Sequence, residues 1–153
     1  MHIRKAIPSD IKSINYCIEK SYSKYISRIG KKPDSMNTDF LPLIKDDLVR
    51  VLEINGKIIG VVVLIIKQNS LEIRSLAVLP HFQKMGFGKK LLEYSEKYAS
   101  QHGIRKISLY TNSALPELIQ YYKKQGYIEE KRKRKLENGF YRIYLTKKLP
   151  TDH

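Results

Sequence analysis

Two glycines stand close together in the segment QKMGFG, residues 83–88, between an apolar run and a pattern typical of a helix. The first turn of a helix offers backbone N–H groups without partners, together with the positive end of the peptide dipoles. Gly86 and Gly88 would let this backbone approach an oxyanion closely. The segment therefore predicts a phosphate-binding loop.

The spacing of these glycines excludes two common nucleotide-binding motifs. A Walker loop needs a glycine five residues before its Gly-Lys-Ser/Thr triplet, but position 83 is Gln83 and Gly88 is followed by two lysines. A dinucleotide-binding fingerprint needs a third glycine where Leu91 stands, and it opens a parallel βαβ unit. An ordinary strand-to-helix turn, in which the glycines only adopt positive φ, stays open as the alternative.

The residues before the loop predict a strand, a helix and three antiparallel strands. Residues 2–7 alternate like a short strand. The helix that follows has one apolar face, formed by Ile11, Ile14, Ile18, Tyr22 and Tyr25. Residues 26–46 lack a clear period, so a loop with one short helix is expected. Asn55 and Gly56 predict a two-residue hairpin turn of type I′, and a second turn at residues 68–70 leads to the third strand.

The residues after the loop predict two helices, one strand and a final hairpin. The apolar face of the first helix is formed by Leu91, Leu92, Ser95, Tyr98 and Ala99. The strand covers residues 105–111. The apolar face of the second helix is formed by Leu115, Leu118, Ile119 and Tyr122. Two strands joined by a turn at residues 137–139 complete a single predicted domain.

The order of these elements and two short motifs resemble the GCN5-related N-acetyltransferase (GNAT) family. QKMGFG after LAVLP matches the family's Gln/Arg-x-x-Gly-x-Gly/Ala motif, and YYKKQGY, residues 121–127, resembles its Tyr-x-x-x-Gly-Phe/Tyr element. The resemblance covers residues 1–149 as one domain and leaves 150–153 as a tail. It implies an α/β (α+β) fold with a mixed, mostly antiparallel sheet of about seven strands and about four helices. It also implies an N-acetyltransferase that uses acetyl-CoA and no metal.

In the family's pattern, the loop amides bind the pyrophosphate of acetyl-CoA and the preceding strand pairs with its pantetheine arm. The cofactor-binding residues that this implies are Leu76, Ala77, Val78, Gln83, Lys84, Met85, Gly86, Phe87, Gly88, Lys89, Asn112 and Tyr122. Many members carry an asparagine at the position of Leu115. Asn112, at the end of the preceding strand, is the expected substitute for that contact.

Tyr122 is the candidate acid of the reaction that the resemblance implies. It stands four residues before Gly126, as the family's leaving-group tyrosine does, and a phenol can protonate a departing thiolate. A plain core aromatic is the alternative. The backbone amide of Leu76 is the candidate oxyanion donor, again by its position in the family's pattern.

Glu72 is the candidate base. It precedes Gln83 by 11 residues, the spacing of the catalytic glutamate in the histone-acetylating branch of the family. Strict strand alternation would place Glu72, Arg74 and Leu76 on one face of the sheet. The alternatives are a solvent-facing carboxylate, an ion pair with Arg74, or removal of the amine proton through water.

The composition favours a folded domain with a strongly basic surface. The 153 residues include 29 Lys plus Arg against 15 Asp plus Glu, a net charge of +14. Such a charge eases contact with polyanions, but a general lysine bias is favoured over a nucleic-acid-binding face. The basic run at residues 131–135 is interpreted as a solvated hairpin. A non-catalytic module that senses acyl-CoA or binds nucleic acid is the alternative to an enzyme.

The expected setting is cytoplasmic, without a membrane partner. Cys17 is the only cysteine, and the four histidines lack ligand spacing, so no disulfide and no metal site are expected. The longest apolar run, residues 58–66, is far shorter than the roughly 20 residues that span a bilayer.

The expected partners are acetyl-CoA and an amine acceptor, with residues 22–46 at the acceptor entrance. Neutral, anionic or peptide amines are favoured over polyamines, and a monomer and a homodimer both stay open.

Overall fold

The computed structural model describes residues 1–150 and is built on one seven-stranded sheet. Its strands are β1 (His2–Lys5), β2 (Val49–Ile54), β3 (Lys57–Lys67), β4 (Ser70–Val78), β5 (Lys106–Asn112), β6 (Ile128–Lys135) and β7 (Tyr141–Lys148). They lie in the order β1-β2-β3-β4-β5-β7-β6, and each neighbouring pair is antiparallel except β4 and β5. The predicted mixed, mostly antiparallel α/β sheet is confirmed.

Five α-helices accompany the sheet in the described residues. They are α1 (Ile11–Tyr22), α2 (Ile26–Ile29), α3 (Phe40–Lys45), α4 (Phe87–Gln101) and α5 (Pro116–Lys124). α2 is a single turn, so four helices are longer than one turn, as expected. Within residues 1–150, none of these helices combines the length and the apolar character that crossing a bilayer requires. Most of the predicted tail, residues 151–153, lies outside the described residues.

Sharp turns bring β2, β3 and β4 side by side. Asn55 and Gly56 have φ values of 50° and 78°, the two positive angles that a type I′ turn requires. The turn between β3 and β4 likewise holds Gln68 at a φ of 48°. The predicted run of three antiparallel strands is therefore confirmed.

Helices cover both faces of the sheet. A Cβ on Gly60 of β3 would lie 3.2 Å from Leu91, so this face of the sheet packs against α4. On the other face the hydroxyls of Ser75 and Ser35 meet at 2.7 Å, and α1 packs against the same strands. Ile14 of α1 and Leu91 of α4 are both 0% exposed. Burying a side chain of this size stabilises the fold by about 1.5–3 kcal/mol.

The segment at residues 26–46 is more ordered than predicted. α2 ends at Gly30, whose φ of 86° terminates the helix. α3 begins after Asp39, whose carboxylate accepts a hydrogen bond from the Leu41 N–H at 3.1 Å. The prediction of one short helix here is therefore wrong. Such short helices escape a periodicity search because burial of anchors such as Phe40, rather than a repeating face, stabilises them.

β4 and β5 separate after a short parallel contact. Their register ends where Glu72 pairs with Ser108, and from there the outer edge of β4 faces an opening in the sheet. The Tyr22 hydroxyl reaches into this opening from α1. It donates to the Leu76 carbonyl at 2.8 Å and accepts from the Leu76 N–H at 3.3 Å. A side chain thus satisfies the backbone groups that a regular β5 would have paired.

A β-bulge interrupts β4 at Arg74. The register jumps from Ser75 to Ile73 across consecutive residues of β3, so Arg74 is an extra residue that β3 does not pair. Because cross-strand partners share a face, the bulge moves the Leu76 side chain to the face opposite Glu72. The prediction that Glu72, Arg74 and Leu76 share one face is therefore wrong. Alternation holds only where a strand has no extra residue.

We expect Tyr22→Phe to lower the free energy of unfolding by about 1–3 kcal/mol, because both backbone groups of Leu76 lose their partner. Urea denaturation of the purified variant measures this change. Tyr16→Phe is the control on the same helix, since Tyr16 is 52% exposed. The control should change stability by less than about 0.5 kcal/mol. A Tyr22→Phe protein as stable as the wild type would contradict this account of the opening.

Candidate phosphate-binding loop and catalytic opening

The loop before α4 presents a run of free backbone N–H groups. Gly86, which immediately precedes α4, has a φ of 88°, and Lys84 has a φ of 63°, which is uncommon for a residue with a Cβ. Within residues 1–150, none of the N–H groups from Lys84 to Lys89 donates to another protein group. Met85, at the tip, is 64% exposed. Successive N–H groups next to a helix dipole form a site for phosphate or another oxyanion.

Side chains tie this loop to the end of β4. The Gln83 amide donates from Nε2 to the Val78 carbonyl at 2.9 Å, and its Oε1 accepts from Lys24 Nζ at 3.2 Å. The rings of Phe82 and Phe87 pack edge to face with their centroids 6.2 Å apart. The loop therefore has a fixed position relative to the opening.

Gly88 allows α5 to approach the first turn of α4. A Cβ at this position would lie 3.0 Å from the Tyr121 hydroxyl oxygen. Burial raises the pKa of Tyr121, so this phenol stays protonated and can donate a hydrogen bond. The sequence prediction did not include Tyr121 in the site, because only the fold reveals how close α5 comes to the loop.

β4 turns alternate backbone groups toward the opening. Tyr22 occupies both groups of Leu76, and the Ser21 hydroxyl donates to the Val78 carbonyl at 2.8 Å. Because successive strand residues point their backbone groups to opposite sides, those of Ala77 face β3. The main-chain groups that face the opening are therefore those of Leu76 and Val78 rather than Ala77. A ligand at Leu76 would have to replace the Tyr22 hydroxyl.

Tyr122 lies on α5 among other tyrosines. Its ring centroid is 5.4 Å from that of Tyr121 and 6.0 Å from that of Tyr127. Burial, reinforced by nearby Tyr22, raises the pKa of Tyr122 well above its usual value near 10. The phenol stays protonated at neutral and alkaline pH, so it can act as a proton donor and not as a base.

Glu72 is buried at the closed end of the opening and is paired with two cations. Its Oε2 lies 2.8 Å from Lys67 Nζ and 3.1 Å from Arg74 Nη2. Burial favours the neutral carboxyl, but the hydrogen bonds and charges of Lys67 and Arg74 outweigh it and lower the pKa of Glu72. The ion pair with Arg74, an alternative to a catalytic role, is thus present. The catalytic role itself stays a prediction.

A cavity of about 120 Å³ opens beside the divergence of β4 and β5. Its apolar lining includes Tyr25, Ile29, Leu115 and Leu118. Its polar and charged lining includes Lys31, Asp34, Arg74, Tyr110 and Arg142. Tyr22 lines the same cavity, so the hydroxyl that binds Leu76 borders it directly. A small molecule or the end of a chain can therefore approach the opening from this side.

Sequence reasoning included Tyr22 and Asp34 only as part of the range 22–46 expected at the acceptor entrance, and it missed Tyr110 and Arg142. Asp34 Oδ2 accepts from Arg142 Nη2 at 3.1 Å and from the Tyr110 hydroxyl at 3.3 Å. These three residues come from distant segments, and no spacing rule connects them. The contact of Tyr22 with Leu76 was not predicted, because its position on the apolar face of a helix favours packing over a hydrogen bond to a strand.

Asn112 lies at the end of β5 and lines the cavity. Its Oδ1 accepts from the Ala114 N–H at 2.8 Å, so the oxygen closes a local turn. The amide nitrogen of Asn112 and the second lone pair of Oδ1 therefore remain for the predicted cofactor contact. Leu115, where many relatives have asparagine, is 3% exposed and packs with Tyr25 and Ile29.

Cys17 does not offer a nucleophile near neutral pH. Its side chain is buried beneath β3 and β4, and burial raises the pKa of the thiol to about 12. The thiol form is the unreactive one in acyl transfer. In the described part of the chain, no group of three or more His, Cys, Asp or Glu residues is arranged to hold a metal ion.

Solved structures share this fold. One is a PaiA N-acetyltransferase from Thermoplasma acidophilum in complex with coenzyme A, with a TM-score of 0.80 and 20% identity over 96% of this chain and 98% of that chain. Ard1 from Thermoplasma volcanium has a TM-score of 0.79 and 18% identity over 98% of each chain. The ribosomal-protein-S18-alanine N-acetyltransferase from Escherichia coli has a TM-score of 0.73 and 17% identity over 99% of this chain and 96% of that chain.

At these identities the solved structures show a common fold and no more. A search of curated proteins gave no match. The sequence model of the acetyltransferase (GNAT) family, however, matches residues 18–127, which run from α1 through the glycine loop to the end of the tyrosine-rich helix. This match covers well over half of the chain, and on its strength the protein belongs to the GNAT family of acetyltransferases.

Proposed function

We propose that the protein transfers an acetyl group from acetyl-CoA to a primary amine by direct attack in a ternary complex. The observation that carries this proposal is the run of free N–H groups at residues 84–89 beside the open edge of β4. Family membership supports acetyl transfer. The amine acceptor is proposed because two proteins of the same fold are named N-acetyltransferases.

In this proposal the loop holds the diphosphate of acetyl-CoA, as the coenzyme A complex of the Thermoplasma acidophilum protein suggests. Its oxygens would accept hydrogen bonds from the N–H groups between Lys84 and Lys89, and Tyr121 beside Gly88 offers a further donor. The pantetheine arm would pair with the Val78 N–H, where β5 has left the sheet, and extend from there toward Leu76. Its sulfur then lies toward Tyr122.

The chemistry needs a neutral amine, a polarised carbonyl and a protonated leaving group. The amine nitrogen attacks the thioester carbon, and the Leu76 N–H donates to the oxygen that becomes negative. This N–H now meets Tyr22 at 3.3 Å, which is long for a hydrogen bond, so the thioester oxygen can replace the hydroxyl at small cost. The C–S bond then breaks, and Tyr122 gives its proton to the thiolate. The proton that the nitrogen loses on becoming an amide passes through water to the Tyr122 phenolate and restores the phenol.

Burial of Tyr122 affects both partners of this last proton transfer. A phenol of ordinary pKa protonates a thiolate of ordinary pKa at a cost of about 2 kcal/mol. The raised pKa of Tyr122 increases this cost. Burial disfavours the thiolate for the same reason, however, and so raises the proton affinity of the leaving group. The cost of the proton transfer therefore depends on the difference between the pKa of Tyr122 and the pKa of the coenzyme A thiol in the site.

Glu72 is the proposed base, acting through water. Its lowered pKa keeps it ionised at neutral pH, although Lys67 and Arg74 also make it a weaker base. A lysine-like amine is about 99.9% protonated at pH 7, so some group must receive its proton. The cations that line the cavity, Lys31, Arg74 and Arg142, favour the neutral amine in the site and ease that transfer.

We expect Gly86→Ala to weaken coenzyme A binding at least about tenfold, because a Cβ at a φ of 88° costs about 1–2 kcal/mol and disturbs the loop amides. Gly139→Ala is the matched control, since Gly139 has a φ of 86° and equally open surroundings in the turn between β6 and β7. Both variants should lose similar thermal stability, and only the first should lose affinity in calorimetry. Equal affinity of the two variants would remove the loop from the cofactor site.

We expect Tyr122→Phe to lower kcat at least about tenfold, since general acid catalysis contributes at least that much. Thiol release from acetyl-CoA, measured across a panel of amines, gives the turnover. Coenzyme A affinity should stay within about twofold, which separates loss of an acid from loss of binding. Tyr127→Phe is the control, since its ring is buried beside Tyr122. Unchanged turnover of Tyr122→Phe would leave the residue as a core aromatic.

The variant Glu72→Gln tests separately whether Glu72 acts as the base and whether its ion pair stabilises the fold. A lowered folded-state pKa gives stability that is present above the unfolded value of 4.5 and is lost as pH falls. The variant should therefore lose about 1–3 kcal/mol in urea unfolding at pH 7, and this loss should shrink progressively as pH falls below 4.5. As the base, Glu72 should also contribute about a hundredfold to turnover.

The control for Glu72→Gln is Glu129→Gln, which removes a carboxylate paired with Lys123 outside the cavity. Its thiol release should match the wild type. If Glu72→Gln shows the pH-dependent stability loss and still turns over at the wild-type rate, Glu72 serves the ion pair alone.

A further inference from the structure

The cavity beside the opening carries more positive than negative charge. Lys31, Arg74 and Arg142 line it, and Asp34 is the carboxylate among the described lining residues. Glu72 lies behind Arg74 and neutralises part of its charge. An acceptor in the cavity therefore meets a surplus of cations. A polyamine would bring a second positive charge to the same place, which disfavours that class of acceptor.

Arg142 is held in a fixed orientation. Its Nη2 donates to Asp34 Oδ2 at 3.1 Å, and its guanidinium carbon lies 4.1 Å from the centre of the Tyr110 ring. Its side chain is 22% exposed. Stacking on an aromatic ring reduces the rotamer freedom that a bound anion would otherwise have to remove.

Arg74 owes its direction to the β-bulge. As the extra residue of β4 it is free of the regular alternation, and bulges next to active sites commonly redirect one side chain. Its Nη2 contacts Glu72 Oε2 at 3.1 Å, and its side chain is 39% exposed. The bulge thus places a second guanidinium in the wall of the cavity.

Each guanidinium uses only part of its donor set. Within residues 1–150, Arg74 and Arg142 each make their side-chain hydrogen bonds through Nη2 alone, at Glu72 and Asp34. A guanidinium carries five N–H donors in a planar fork that matches a carboxylate or a phosphate with two parallel bonds. Both arginines can therefore bind an anionic group while they keep their present partners.

The amine end of an acceptor has a separate place in this cavity. Tyr22 lines it and binds Leu76, whose N–H is the proposed oxyanion donor. An acceptor can thus present its amine to the opening and its anionic group to the arginines. The apolar lining at Ile29 and Leu118 suits the carbon atoms between them.

We propose that the acceptor is an amine that also carries a carboxylate or similar anion, bound by Arg74 and Arg142. This inference rests on the proposed amine acetyltransferase. The same chemistry is present in a peptide with an acidic residue beside its N-terminal amine and in a small amino acid. Arg74 and Arg142 are specificity-determining residues in this account, and they take no part in the bond changes.

Matched acceptors test the inference through thiol release from acetyl-CoA. The peptide arm compares the tetrapeptide amides Ala-Glu-Ala-Ala and Ala-Gln-Ala-Ala, and the small-molecule arm compares β-alanine with β-alaninamide. In at least one arm the anionic member should have a kcat/KM at least about tenfold higher, the effect of one charge-assisted hydrogen bond. The arm with the larger preference identifies the source of the anion. The amine of β-alaninamide is less basic than that of β-alanine, so a larger fraction of it is neutral at pH 7. Basicity alone would therefore make β-alaninamide the better acceptor, the opposite of the expected result.

Variants of the two arginines test whether they cause the preference for the anionic acceptor. Arg142→Gln and Arg74→Gln should each lower the ratio of kcat/KM values at least about fivefold, because each removes a charged donor set. Arg105→Gln is the control: Arg105 is exposed at the other end of β5, and this variant should keep the ratio. Arg142→Gln leaves Asp34 without its cation. The double variant Asp34→Asn/Arg142→Gln therefore replaces it if the single variant does not fold.

The outcomes separate this inference from the proposed function. Equal or better turnover of both neutral members would overturn the acceptor class and leave the acetyltransferase intact. A preference that survives both arginine variants would overturn the site. No thiol release with any acceptor, including the wider amine panel, would overturn the proposed function and this inference together.

Discussion

The early divergence of β4 from β5 is the constraint on which the rest of the structure depends. A strand in the middle of a sheet that loses its neighbour exposes N–H and C=O groups that must find partners. Tyr22 and Ser21 of α1 and Gln83 of the loop supply those partners at Leu76 and Val78. The same contacts fix α1 and the glycine loop around the opening, so one irregularity of the sheet positions the whole site.

The opening also explains why the site is rich in tyrosine. A phenol combines a large apolar surface with one polar tip, so it can fill a gap in a core and still satisfy a backbone group. Tyr22 does this at Leu76, Tyr121 approaches Gly88, and Tyr122 packs against Tyr121 and Tyr127. Burial keeps these phenols protonated, which suits a site that must return a proton to a leaving thiolate.

Local chemistry made much of the fold and part of the site predictable. The turn at Asn55 and Gly56 and the glycine loop follow from residues that adopt positive φ more readily than others, and the order of the elements follows from periodicity. The bulge at Arg74 was not predictable, since nothing in the strand's own residues marks it. The grouping of Asp34 with Arg142 was hidden for another reason: it depends on where the segment after α2 packs against β7.

Backbone amide chemical shifts of the ¹⁵N-labelled protein, followed while coenzyme A is added, test the central claim most directly. The account predicts that the largest changes occur at the amides between Lys84 and Lys89, followed by Leu76 and Val78, whose carbonyl or N–H faces the opening. Unchanged resonances at all of these amides, or coenzyme A binding that shifts a different surface, would contradict it.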